Sequence, residues 1–418
     1  MKLTPKVFLP WVIIIWILGG VTFPGYGYSV LTHQAIIDVS WSKSLEPLLK
    51  KRFPNATEEE LRKAHAHAYG GAIIQDMGYY PFGSKFFTNL VHYVRTGDFV
   101  QNLIAESQNL EEYAFALGAL AHYYADNYGH SIATNKSVPL VYPELKAEFG
   151  NTITYEEDPI AHVKMEFGFD VLQVARGNYA PEAYQKFIGF DVSKEVLERA
   201  FRKTYGLELK EQFVSLDLAI NTYRRSVSTI IPDLTKAAWS MKRNDIQEAK
   251  PGITRRNYLY RLSKADFQKQ WGKDYQKPNV WQQFLSWTFR ILPKVGPQRT
   301  FAFKPPTPEA EKLFMESFMT TVDNYTTGLN QVRAKTLKLE NTDFDTGSKS
   351  EPGSYKKADE AYDQLVLKLA KNDFKEISQP LRQNILRYYD RTPKPDANAK
   401  EEKNRDEIQE ALQVLRAE

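Results

Sequence analysis

The sequence predicts an all-α protein. Apolar residues recur at helical spacing in one segment after another. Capping residues open these segments, and prolines or turn-rich stretches close them. No alternating apolar–polar run of useful length marks a strand. The 418 residues suffice for one large domain or two ordinary ones, and 42% apolar with 25% charged residues describes a globular chain.

In chain order, "MKLTPK" is a basic leader, followed by the fifteen-residue apolar run "VFLPWVIIIWILGGV". Gly25 and Gly27 then give the small-x-small pattern of a signal-peptidase site, so cleavage would leave Tyr28 as the mature amino terminus. The expectation is an exported protein, periplasmic or secreted, with a retained membrane anchor as the alternative. Pro10 inside the run and the lack of a charge soon after it favour cleavage. "THQAIIDVSW" offers Thr32 as an N-cap, and "TEEELRKAHAHAYGGAII" starts at a Thr57 cap with acids in its first turn. Gly70 and Gly71 end that helix. "EEYAFALGALAHYYAD" is apolar all round and reads as a buried helix, and "EDPIAHVKMEFGFDVLQVA" has Pro159 in its first turn. Phe213, Leu216, Ile220, Tyr223, Val227 and Ile230 form a heptad-like series that Pro232 is expected to end. Residues 250–306, rich in proline, glycine and aromatics, read as an irregular excursion. "TPEAEKLFMESFMTTVDNYTTGL" is helical again, "NTDFDTGSKSEPGSY" reads as a turn-rich linker, and two further helices and a charged tail follow. The expected organisation is a leader over 1–27, a helical domain over 28–250, an aromatic and basic excursion with its helix over 251–340, and C-terminal helices over 341–418.

Charge and composition exclude several functions. A net charge of +4 is too mild for a dedicated nucleic-acid binder. The absence of cysteine excludes disulfides, thioether haem and thiolate metal sites, so any metal must be held by His, Asp and Glu.

Those residues are distributed unusually. The chain has seven histidines, and "LGALAHYYADNYGHS" places His122 and His130 four residues either side of Asp126. On an α-helix the three form one stripe about 12 Å long, too long for one ion and suited to a helix passing two. His162 and Glu166 repeat the spacing, although one such pair alone is commonly a simple surface ion pair. His33, His92 in "NLVHYVRTGD" and Asp76 in "GGAIIQDMGYYPFG" complete five histidines and three carboxylates. Nitrogen and oxygen ligands without thiolate suit zinc, and carboxylate bridging suits a multinuclear site. His65 and His67, two apart on a helix, face different directions and read as ordinary helix residues. Tyr79, Tyr80 and Phe82 either line the mouth of the site or pack beneath its loop.

The order His33, Asp76, His92, His122, Asp126, His130, His162, Glu166 resembles the zinc-dependent phospholipase C family, whose superfamily includes fungal single-strand nucleases and glycosylphosphatidylinositol-specific phospholipase D. The resemblance covers roughly residues 28–170. It implies a multi-helix domain with a trinuclear zinc cluster. One zinc would take Asp76, His92, His122 and Asp126. A second would take His130, His162 and Glu166 with an open position for water. A third would take His33, Asp126 as a bridge, and the main-chain amine and carbonyl of Tyr28. Family members usually begin with Trp where this chain has Tyr28, and the gap from Asp126 to His130 is closer to the phospholipase D branch. The resemblance implies a phosphodiesterase working through a zinc-bound hydroxide, with Asp76 as the orienting or general-base carboxylate.

Phospholipid at a membrane surface is then the expected substrate. Trp281, Phe284, Leu285, Thr288, Phe289 and Leu292 have amphipathic spacing among cations such as Arg261, Lys269 and Arg290, a surface for an anionic lipid interface or for single-stranded bases. These aromatics equally suit the core of a second helical layer. A nuclease or nucleotidase of the same superfamily and a non-catalytic metal-stabilised binding protein are the alternatives. No protein partner is inferable.

Overall fold

A cradle of helices surrounds the longest apolar one, and its assembly follows from local signals. The structure, a computed structural model, describes residues 30–176, 189–249, 252, 254–255, 303–390 and 399–417. Tyr28 and the leader, and the aromatic series from Trp281 to Leu292, lie outside the described residues.

Helix α1 (Val30–Ser40) is followed by a π-helical turn and α2 (Glu46–Arg52). Helix α3 (Glu58–Gly71) opens on the expected Thr57 cap, closed as a capping box with Glu60. A 3-10 turn (Ile74–Tyr79) leads to α4 (Lys85–Tyr93), α5 (Thr96–Glu106) and the central α6 (Leu110–Tyr128), capped by Asn109. A π-helical turn (Gly129–Thr134) then leads to α7 (Asn135–Val141) and α8 (Pro143–Phe149). Helix α9 (Pro159–Arg176) begins at the expected proline, with Asp158 accepting from the amides of Ile160 and Ala161. The rest is α10 (Lys194–Tyr205), α11 (Leu216–Ala249), α12 (Pro308–Ala334), α13 (Lys356–Lys371), α14 (Gln379–Asp390) and α15 (Ala399–Ala417). Among the described residues there is no strand beyond one isolated bridge, Thr342 to Lys349, and no helix long and apolar enough to cross a membrane.

Helix α6 is buried along almost its whole length, as its apolar sequence requires. It crosses α3 with backbones nearly touching. A Cβ on Gly118 would lie 2.1 Å from the Ala68 carbonyl, and one on Gly71 would lie 1.9 Å from that of Phe115. Glycine at both positions is what allows the two helices this close. Helix α12 lies over the other side of α6, where the Tyr325 hydroxyl donates to the Leu117 carbonyl at 2.9 Å.

Three local expectations are corrected. Thr32 does not cap α1, which already begins at Val30. Asp170 of α9 accepts from the amides of Leu31 and Thr32 and from the Thr32 hydroxyl, so the cap comes from a helix distant in sequence. Pro232 does not end its helix, because α11 runs on to Ala249; a proline removes one helical bond without obliging the rest to stop. The segment "NTDFDTGSKSEPGSY" is no detached linker: Asp343, Phe344 and Asp345 are buried against α4 and α6.

Candidate metal centre

The side chains of His33, Asp76, His92, His122, Asp126, His130, His162 and Glu166 are all buried. His33 comes from α1, Asp76 from the 3-10 turn, His92 from the end of α4, His122 and Asp126 from α6, and His162 with Glu166 from α9. His130 departs from the expected single stripe. It sits in the π-helical turn after α6, where its ring meets His162 edge-on at 5.0 Å. The wider turn takes His130 off the straight face of α6, and such turns concentrate at functional sites.

Two groups result. Asp76, His92, His122 and Asp126 place ligand atoms within 4.8 Å of one another, and so do His130, His162 and Glu166. In the first, His92 Nε2 lies 3.2 Å from Asp76 Oδ1 and 3.5 Å from Asp126 Oδ2, and His122 Nε2 lies 3.0 Å from Asp126 Oδ2. The other Asp126 oxygen, Oδ1, lies 3.5 Å from His33 Nε2, and the His33 ring stacks on His122 at 4.6 Å. Asp126 thus turns one oxygen to each side. In the second group, Glu166 Oε1 lies 3.2 Å from His130 Nε2 and 3.0 Å from His162 Nδ1.

Zinc fits these donors on three counts. Atoms sharing a tetrahedral ion with bonds of about 2.0–2.1 Å stand about 3.3 Å apart, and the separations above are 3.0–3.5 Å. Outer hydrogen bonds also fix the imidazole tautomers. His92 Nδ1 donates to the Thr88 carbonyl at 2.9 Å and His122 Nδ1 to the Ala72 carbonyl at 3.0 Å, leaving each Nε2 with its lone pair facing the carboxylates. The amide of Asn135 donates through Nδ2 to the Asp345 carbonyl at 2.7 Å, so its Oδ1 accepts from His162 Nε2 at 2.9 Å and His162 Nδ1 is the free ligand atom. Finally, Asp76 Oδ1, His92 Nε2, His122 Nε2, His162 Nδ1 and both oxygens of Asp126 and Glu166 have no hydrogen-bond partner in the protein. Buried lone pairs facing one another are costly unless a cation lies between them.

The electrostatics agree. Burial pushes His33 down to about 3. Burial also opposes charge on His92, yet the adjacent Asp126 and Asp76 carboxylates raise it to about 10. His130 is likewise raised well above the imidazole range by Asp126, Asp345 and Glu166 against the effect of burial. For Asp126, burial favours the neutral acid, but His122 and His130 hold it well below the carboxylate range. The cluster holds positive charge next to its carboxylates, which metal ions would supply at the expense of protons.

Aromatic rings wall the centre. Tyr79 stands 6.0 Å from His92 and 6.2 Å from Tyr155, and Tyr155 stands 5.8 Å from His162. Phe344 packs on His92 at 5.3 Å and on His122 at 5.8 Å. Tyr80 lies under the loop against Tyr223, and Phe82 is exposed with a left-handed φ of 64°. Of the three aromatics after Asp76, Tyr79 therefore faces the centre. His65 and His67 stay outside it. His65 stacks on Trp41 and pairs with Asp38 at 3.2 Å, and His67 Nδ1 meets the Ser193 hydroxyl at 2.8 Å.

Sequence reasoning missed Asn135, Asp170, Phe344 and Asp345. Asp170 had a signal, since it continues the four-residue spacing of His162 and Glu166. Asp345 had none, because its role depends on tertiary docking.

Comparison with known families matches residues 32–213 to the family described as zinc dependent phospholipase C. No curated protein and no solved structure matches the chain. The matched stretch contains all eight side chains of the centre. Over residues 32–213, this chain is similar to the zinc-dependent phospholipase C family.

Proposed function

We propose that the protein is an exported phosphodiesterase of phospholipase C type, which cleaves phospholipid between the glycerol oxygen and phosphorus. The observation that carries this is the pairing of a four-residue and a three-residue buried donor set within a family of phospholipid-hydrolysing zinc enzymes. Asp76, His92, His122 and Asp126 would hold one zinc, and His130, His162 and Glu166 a second. His33 and the free Asp126 oxygen, with the amine and carbonyl of a mature Tyr28, would hold a third. Bound zinc supplies Lewis-acid chemistry, neutralising a phosphodiester and bringing the pKa of water towards 7.

The chain's own groups do the rest. Three side chains in the second set are the donor count of a catalytic rather than a closed structural site. Asp76 is the carboxylate we assign to orient the attacking water and take its proton. Attack at phosphorus then releases diacylglycerol and the phosphorylated head group. Tyr79 and Tyr155 border both sets and shield them from bulk water. Burial holds the Tyr79 phenol far above its usual range, so it remains a neutral donor.

The test is hydrolysis of phosphatidylcholine vesicles and of single-stranded DNA, side by side, by protein beginning at Tyr28 with zinc restored. Release of diacylglycerol without DNA cleavage supports the proposal. DNA cleavage without lipid turnover would replace it with the nuclease reading, and inactivity on both would favour a binding protein.

A further inference from the structure

The segment Asn341–Ser350 lies far beyond the stretch that matches the family, yet it seals one side of the metal centre. It forms a tight turn in which Asp343 receives the Thr346 amide at 2.7 Å and the Thr346 hydroxyl at 2.6 Å. The turn docks through its backbone: the Phe344 amide donates to the His92 carbonyl at 3.0 Å, and the Thr342 amide to the Thr96 hydroxyl at 3.0 Å. Gly347, at φ 71°, sits so close to the end of α6 that a Cβ there would lie 2.7 Å from the Asn127 carbonyl. The turn thus rests on the junction between Asp126 and His130.

This docking buries the carboxylate of Asp345. Its Oδ2 accepts from the Tyr93 hydroxyl at 2.9 Å and from the Tyr355 hydroxyl at 2.5 Å. Its Oδ1 lies 3.5 Å from Nδ1 of His130, whose Nε2 is turned to Glu166. His130 is therefore flanked by a carboxylate at each ring nitrogen. Outer carboxylates on ligating histidines fix the tautomer and raise the basicity of the metal-facing nitrogen. Of the other fixed imidazoles of the centre, His92 and His122 use backbone carbonyls and His162 uses a neutral amide.

We propose that Asp345 is a positioning residue for the second metal half-site: it accepts a hydrogen bond from Nδ1–H of His130 and holds the ring as an Nε2 ligand beside Glu166 and His162. Tyr93 and Tyr355 fix the orientation of that carboxylate. The inference rests on the reading that His130, His162 and Glu166 hold zinc, and it makes a segment outside the family match part of the centre.

The test compares zinc-loaded protein with Asp345→Asn. The substitution leaves the backbone docking bonds and the Asn135 contact to the Asp345 carbonyl in place, so the turn should stay docked. Titration with a competing chelator should release one zinc equivalent at about 10- to 100-fold weaker affinity, with the others unchanged. With cobalt in place of zinc, the visible spectrum of that equivalent alone should shift. If Asp345→Asn does not fold, Tyr355→Phe, which removes one hydroxyl from the carboxylate, should weaken the same equivalent by a smaller factor. A folded variant that holds every equivalent as the parent does, or that weakens all alike, overturns the proposal. A parent protein that takes up no zinc refutes the metal reading beneath it, and so the two failures are distinguished.

Discussion

Asp126→Asn is the sharpest perturbation available, because this side chain turns an oxygen to each side of the centre. Its oxygens lie 3.0 Å from His122 and 3.5 Å from both His92 and His33, and the group is wholly buried. Asparagine keeps the volume and removes the charge. At about 4 Å, a unit charge interaction near an effective dielectric constant of 20 is worth about 4 kcal/mol. Removing one partner of a buried ion pair costs about 3–5 kcal/mol. Both figures correspond to roughly a thousandfold in zinc affinity. The assay is zinc retained against a competing chelator, followed by phosphatidylcholine hydrolysis, with circular dichroism to confirm folding. His65→Ala and His67→Ala serve as controls, since neither touches the centre. The reasoning is refuted if Asp126→Asn holds its metal like the parent, or if all three folded variants lose activity equally.

Three further outcomes are expected. Gly118→Ala would drive a methyl into the Ala68 carbonyl at 2.1 Å, so chemical denaturation should show a loss of about 1–3 kcal/mol, and zinc affinity should fall as α6 shifts. Burial pushes His67 down to about 3, so its neutral form contributes stability that is fully present above about pH 6.5 and lost as pH falls towards 3. Urea unfolding of metal-free His67→Gln across that window should show a shallower acid loss than the parent, by on the order of 5 kcal/mol, and identical pH slopes would contradict it. Protein extended by a few residues before Tyr28 should bind one fewer zinc and turn over more slowly, because only a free α-amine coordinates at neutral pH; unchanged zinc content and rate would exclude the amine as a ligand.

Much of the candidate centre was legible because most of its side chains lie on helices, where spacing reports direction. His122 with Asp126, and His162 with Glu166, are four residues apart, and both pairs converge as that spacing requires. Thr57 and Pro159 likewise act through neighbours a few residues away, so their helices begin where the sequence indicates. The misreadings have the opposite character. Thr32 looked like a cap, but the cap is Asp170, 138 residues away. His130 looked like a continuation of α6, but a π-helical turn intervenes. "NTDFDTGS" has the composition of a solvated turn, and nothing within it shows that Tyr93, Tyr355 and Asn135 will receive Asp345. Contacts between distant segments leave no periodicity to read.

The central claim, that phospholipid hydrolysis depends on zinc at this centre, is tested most directly by one coupled measurement. Metal content and the rate of diacylglycerol release would be followed on the same sample through exhaustive chelation and then zinc restoration. The account predicts about three zinc ions at the start, loss of activity as they leave, and recovery as they return. Full activity in the metal-free protein would contradict it.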